Sequence, residues 1–307
     1  MVDHGQINEV LIASDERGSL LSAAEKAAVI ERYTGAKLTV AQVIYDPIGE
    51  EPASYFGKDE TQSIIDKLIA TERDELAQHM GVLKDRVADL HPDVVWDKNP
   101  ARGILSEAAR IGADLIIKPI SESHGIQDYL QAPIDWTLMR EAACPVVFTR
   151  RQSWPAHPKI LAAVDASESE HEALNATILQ TAQTAARILD AELHLVSVYP
   201  SLGQHMSQYQ VANDFEGIKS EMRARRTAIL EVLIERLGIE VAETHVLEGR
   251  PRIAIAQLAE TLGVTLTVLG TAARTGLKKL VIGNTAEDII RHLQTDLLTV
   301  READGVD

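Results

Sequence analysis

RPRIAIAQLAETLGVTLTVLG runs from Arg250 to Gly270, and NPARGILSEAARIGADLIIKP runs from Asn99 to Pro119. Laid one over the other, the two segments need no gap from Pro100 and Pro251 to Ile117 and Val268. Both read as a helix followed by an apolar strand. A match of this length between two distant parts of one chain points to duplication of a whole unit.

Outward from this match the two halves keep repeating. Val10-Leu11-Ile12-Ala13-Ser14-Asp15 is an apolar strand that ends in aspartate, and Ile160-Leu161-Ala162-Ala163-Val164-Asp165 repeats it. Helical spacing of Ala and Leu follows, over 20–34 and 170–189, and then strands over 37–45 and 193–199. Charged amphipathic helices are expected over 61–89, with a break near Gly81, and over 215–237. Each half ends in a helix and a short apolar strand, Val146-Val147-Phe148 or Leu297-Leu298-Thr299-Val300. The order is therefore β-α-β-α-β-α-β-α-β, twice. Alternating strands and helices produce right-handed crossovers and a parallel sheet covered on both faces. The expected fold is α/β, with two open five-stranded parallel sheets of Rossmann-like type flanked by helices. Arg151 to Pro158 carries two prolines and polar residues that cannot continue a central strand. The domains are accordingly placed at 1–152 and 153–307. The period is far too long for a solenoid.

The chain has 307 residues, of which 45% are apolar, as in ordinary globular proteins. No apolar run approaches the ~20 residues that cross a bilayer, so no membrane insertion is expected. Residues 1–9 lack the basic and apolar regions of a signal peptide. The one cysteine, Cys144, makes no internal disulfide and reads as a core thiol, in keeping with a reducing cytoplasm. A net charge of −16 repels phosphate backbones and argues against direct nucleic-acid binding.

Ligands of open parallel sheets sit beyond the carboxyl ends of the strands. In the second half that rim gathers Ala163, Val164 and Asp165 after the first strand, Val198 at the end of the second, and Leu269 and Gly270 at the end of the fourth. Then comes a glycine-containing basic loop, GTAARTGLKKLVIGNT, over 270–285. Gly270, Gly276 and Gly283 would let backbone approach a ligand or take positive φ. Arg274, Lys278 and Lys279 supply positive charge, and Asn284 and Thr285 open the next helix, where free N–H groups favour an anion. The same residues also suit an ordinary turn and helix cap. The spacing is not that of a Walker A loop.

These features resemble a tandem universal stress protein, most like the bacterial E type. The family places an aspartate at the end of its first strand and a G-x2-G-x9-G-[ST] motif after its fourth. Here Gly270 and Gly283 keep the outer spacing, and Arg274 to Lys278 match the family loop. Ala273 replaces the second glycine, and Asn284 stands where Ser or Thr is usual, with Thr285 next. Asp135-Trp136, Cys144-Pro145-Val146 and Trp154-Pro155 follow the E-type pattern in and after the first half. The resemblance implies a non-catalytic, cytoplasmic protein of stress survival and a small-molecule ligand, ATP with magnesium where the motif is complete. It further implies that the last strands, 146–149 and 298–301, pair as an intramolecular pseudo-dimer, with further homodimerisation left open.

The departures from the motif count against ATP. Ala273 adds a Cβ where the family often has none, and ATP binding in the second half stays open on that account. The first half has lost the motif, with Lys118 to Gly125 in place of the glycine loop and Gln131-Ala132-Pro133 opposite Gly283-Asn284-Thr285. It is not expected to bind ATP in the family's manner. The alternatives are a binder of another metabolite, such as a nucleotide-sugar or lipid-linked compound, and an interaction scaffold with vestigial pockets.

Ten histidines show no H-x-x-x-H or Cys-His ligand spacing, so no metal site is expected, and His194 and His245 read as sheet or core histidines. No nucleophile stands at a recognisable spacing from a base. Trp136 and Trp154 read as packing residues, and Phe215, Ile218, Met222 and Ile229 as the buried stripe of their helix.

Overall fold

The computed structural model describes residues 7–14, 20–46, 58–81, 87, 90–120, 133–167, 172–201, 215–271, 289–290 and 292–301. The chain divides into two compact units, one of Gln6–Ser153 and the other taking in Trp154–Asp307. Each is an α/β unit with its own parallel sheet.

The N-terminal unit runs β1 (Glu9–Ser14), α1 (Leu20–Thr34), β2 (Lys37–Ile44), α2 (Lys58–Met80), β3 (Leu90–Trp96), α3 (Pro100–Ile111), β4 (Leu115–Pro119), α4 (Pro133–Glu141) and β5 (Val146–Thr149). Its strand order is β3-β2-β1-β4-β5. The C-terminal unit runs β6 (Lys159–Ala163), α5 (Glu172–Leu189), β7 (Glu192–Tyr199), α6 (Phe215–Leu237), β8 (Glu243–Glu248), α7 (Pro251–Leu262), β9 (Leu266–Gly270) and β10 (Asp296–Val300). Its order, β8-β7-β6-β9-β10, is the same one repeated. Every strand pairing within the two units is parallel.

The central strands are apolar on both faces because helices cover both. Val10, Leu11 and Ile12 of β1, and Ile160, Leu161 and Ala162 of β6, are completely buried. The duplicated segment repeats down to its caps. Pro100 and Pro251 open α3 and α7, where a missing N–H costs nothing and the fixed φ suits the helix. Gly112 and Gly263 close them at φ 67° and 65°, in the left-handed region. Gly112 N–H donates to Ala109 O and Ala113 N–H to Ala108 O, while Gly263 N–H donates to Glu260 O and Val264 N–H to Ala259 O. These paired bonds satisfy carbonyls that the helix end would leave open. The starts differ: Asn99 Oδ1 accepts from Arg102 N–H at 3.2 Å, whereas Arg250 makes no side-chain cap.

Pro92 lies within β3, the outer strand of its unit, where the loss of a ladder donor is tolerated.

The helix expected over 61–89 with a break near Gly81 ends at Met80, at that break, and 82–86 and 88–89 lie outside the described residues. Two expectations change. The buried face of α6 is turned by about one residue from the expected stripe. Ile218 and Ile229 are exposed, Met222 is half-buried, and the inward line is Arg226, Leu230 and Leu233. Cys144 is half-buried, and desolvation pushes its thiol pKa up to about 12, so it is an unreactive thiol at neutral pH.

Candidate functional site

The carboxyl ends of the C-terminal sheet bring part of the expected constellation together. Ala163 is abreast of Val196 on one side and Leu269 on the other, and Val198 lies two residues further along β7. Beyond β6 the chain bends outward. Val164 N–H donates to Val196 O at 3.0 Å, and Ala166 N–H reaches the Ser197 hydroxyl at 3.4 Å. Ala163, Val164 and Leu269 are buried, and Val198 is half-buried.

Asp165 sits at the apex of this bend and is held on every side. Its N–H donates to Asn175 Oδ1 at 3.1 Å, and Asn175 Nδ2 donates to the Asp165 carbonyl at 2.7 Å. Asn175 is a buried residue of α5, so one side-chain amide closes both backbone groups of Asp165 like a strand partner. The Asp165 carboxylate accepts from Ser167 N–H at 2.9 Å, an Asx-type turn, and keeps a side-chain exposure of 54%. Such a bend holds an acidic group rigidly at the mouth of the sheet.

Arg226 is the partner that reading of the sequence missed. Its Nη1 lies 3.7 Å from Asp165 Oδ1, and its side chain is only 11% exposed. That nitrogen is buried and donates no hydrogen bond. A guanidinium nitrogen so placed is costly unless something accepts from it. The signal was present: Arg226 falls four and seven residues before Leu230 and Leu233, on the inward face of α6.

Gly270 ends β9 as expected, for a reason the sequence did not reveal. A Cβ there would lie 2.8 Å from Leu174 Cγ and Cδ2 and 2.9 Å from Ile178 Cδ1. Gly270 is not at positive φ. The close approach it permits is that of α5. The rest of the loop, with Ala273, Arg274, Gly276, Gly283, Asn284 and Thr285, lies outside the described residues.

A second polar group rims the same end. Ser201 Oγ donates to Glu248 Oε1 at 2.7 Å, and Lys219 Nζ is 3.3 Å from Glu248 Oε2. The Ser201 hydroxyl and then Lys219 hold the Glu248 carboxyl below its ordinary range, and Glu248 raises Lys219 in turn.

The corresponding end of the N-terminal unit is built differently. Pro119 takes the strand-end place of Gly270. Lys118 is buried, donates to Pro119 O at 2.8 Å and faces the buried Asp135 at 3.8 Å. Lys26 and Ser22 both donate to Arg150 O, at 2.6 and 2.9 Å. Asp15 lies outside the described residues. Trp154, expected as a packing residue, also donates through Nε1 to Asp296 Oδ2 at 2.7 Å.

Among the described residues, no helix is long and apolar enough to cross a membrane.

Residues 7–150 and 157–301 each match the family described as "Universal stress protein family". The chain is 28% identical over 295 residues to universal stress protein E of Escherichia coli K12, covering 95% of this chain and 93% of that one. It is 28% identical over 296 residues to the Haemophilus influenzae homologue, covering 95% and 96%. Among solved structures, a functionally unknown protein of Pseudomonas aeruginosa PAO1 superposes with a TM-score of 0.71 at 26% identity, covering 98% of this chain and 95% of the other. A universal stress protein from Archaeoglobus fulgidus shares the fold, with a TM-score of 0.60 at 17% identity, 97% of this chain and 98% of that one being covered.

Proposed function

The chain belongs to the universal stress protein family, as a stress-response protein with two such domains, and from that premise we propose that its C-terminal domain is a non-catalytic nucleotide receptor. The ligand is ATP with magnesium, bound in the cytoplasm at the carboxyl ends of β6, β7 and β9. The domain spans 153–307, and the domain of 1–152 has given up this use.

The observation that carries the reading is the clamped bend at Asp165 beside Arg226. The bend is tied to both β7 and α5, so it is preorganised. Beside the bend, Arg226 supplies a buried Nη1 that makes no hydrogen bond and lies 3.7 Å from Asp165 Oδ1. A ribose or base edge would meet the Asp165 carboxylate. The Arg226 nitrogen would be satisfied by a ligand oxygen. The loop of Ala273, Arg274, Gly276, Gly283, Asn284 and Thr285 would bring backbone N–H groups and local positive charge to the phosphates. Ala163, Val164, Val198, Leu269 and Gly270 form the apolar floor. In the N-terminal domain Pro119 and the Lys118–Asp135 pair occupy the corresponding rim.

The test is the thermal midpoint of the whole protein with and without Mg-ATP, beside Gly283→Trp. A ligand at 100 times its dissociation constant stabilises by about 2.7 kcal/mol. The midpoint of the wild type is expected to rise and that of the variant to stay. No shift at millimolar ATP overturns the reading and turns the search to nucleotide-sugars, lipid-linked metabolites and protein partners.

A further inference from the structure

The amino ends of β7 and β8, at the other end of the C-terminal sheet, carry a cluster that the nucleotide site does not use. His194 is registered opposite Glu243, and Val196 opposite His245. Paired residues of parallel strands share a face, as do residues two apart. Glu192, His194, Glu243 and His245 therefore project from one face. We propose that His194, His245 and Glu243 bind a divalent transition-metal ion of the zinc class, with Glu192 as the carboxylate that orients His194.

The distances support this. His194 Nδ1 lies 3.3 Å from His245 Nε2, and His245 Nε2 lies 3.8 Å from Glu243 Oε2. One ligand atom from each of the three residues falls within 4.8 Å of the others. Two nitrogens bound at about 2.0–2.1 Å to one tetrahedral zinc ion are roughly 3.3 Å apart. The rings lie 5.6 Å apart at 24° between planes.

A second observation points the same way. His194 Nε2 is buried without a hydrogen-bond partner, on a side chain that is 6% exposed. Glu192 Oε2 stands 3.6 Å from it. A ligating histidine commonly donates its other ring N–H to a carboxylate, which fixes the tautomer. A proton on Nε2 facing Glu192 leaves the Nδ1 lone pair facing His245. Glu192 also faces Lys159 Nζ at 3.6 Å, which suits an orienting carboxylate better than a ligand. Glu243 is 63% exposed and provides the way in from solvent. Three protein ligands leave a fourth position for water, and imidazole with carboxylate suits zinc rather than magnesium. The cluster is distinct from the nucleotide rim: His194 and Tyr199 are five residues apart on β7, or about 16 Å at strand rise.

In the sequence the site shows only as Glu-x-His twice, at 192–194 and 243–245, and the fold brings the two strands side by side.

The experiment is calorimetric titration of zinc into the metal-stripped full-length protein, with metal analysis after dialysis. One zinc ion per chain and no magnesium binding are expected. Glu243→Gln, His245→Gln and Glu192→Gln should each weaken zinc at least about tenfold, with circular dichroism confirming the fold. If His245→Gln fails to fold, Glu243→Gln decides, since its side chain is exposed. Failure of the wild type to retain zinc at micromolar concentration overturns the proposal. So does wild-type affinity in either ligand variant, which would put the ion on other histidines. Gly283→Trp should bind zinc normally, so this result stands apart from that of the nucleotide test.

Discussion

Gly270 and Leu174 share a space that only one of them can fill. In the sequence Gly270 reads as the first glycine of a phosphate loop, and nothing nearby announces that a helix beginning almost a hundred residues earlier rests on it. Its Cβ clash with Leu174 and Ile178 makes a specific expectation. Gly270→Ala should cost about 1–3 kcal/mol by overpacking. Leu174→Ala alone should cost about 2–5 kcal/mol. The double variant should cost less than their sum, because the smaller side chain vacates the space. Urea denaturation of the four proteins measures this, and strict additivity would sink it. Arg226 illustrates the opposite case. Its inward position could be read from Leu230 and Leu233, but three arginines lie within Arg223 to Arg226, and the expected stripe was one residue out of register. Only Asp165, brought alongside from the bend after β6, shows which arginine matters.

At the scale of elements, the repeat carried most of the information. A gap-free match between two segments constrains helix and strand together, and the C-terminal caps show both copies ending alike. Gly112 and Gly263 have the same left-handed geometry, with open space where a Cβ would go. Substitution by alanine should therefore cost only the backbone conformation, about 1 kcal/mol at each position. Gly103→Ala should behave differently, because its Cβ would meet Val43 Cγ1 at 2.7 Å. Midpoints from thermal denaturation should show similar small losses for Gly112→Ala and Gly263→Ala. A large loss at either would mean that the cap does more than turn the chain. What the pattern did not supply is the lateral placement of elements, and the two histidines of β7 and β8 become neighbours only through it.

Over the whole molecule, each unit encloses its own apolar centre, and the segment between them is short and polar. Among residues 151–157, six are exposed and Trp154 is half-buried. A chain of residues 153–307 alone should thus fold and unfold in one cooperative transition, followed by circular dichroism. Non-cooperative melting of that half would show that it depends on the other. The charge of −16 acts at this scale too, through the general field of the protein. It disfavours polyanions everywhere, and the nucleotide proposed for the C-terminal domain would depend on a few local donors.

The outer strand β3 has one more consequence. Pro92 has no N–H to offer, so a strand arriving at that rim from another molecule meets an interrupted ladder. Conditions that harm proteins fill their surroundings with partly opened chains, whose bare strands join any template they find. A protein employed under such conditions is in danger of being recruited by the damage it outlives. One imino acid at the margin of the sheet helps to keep it out.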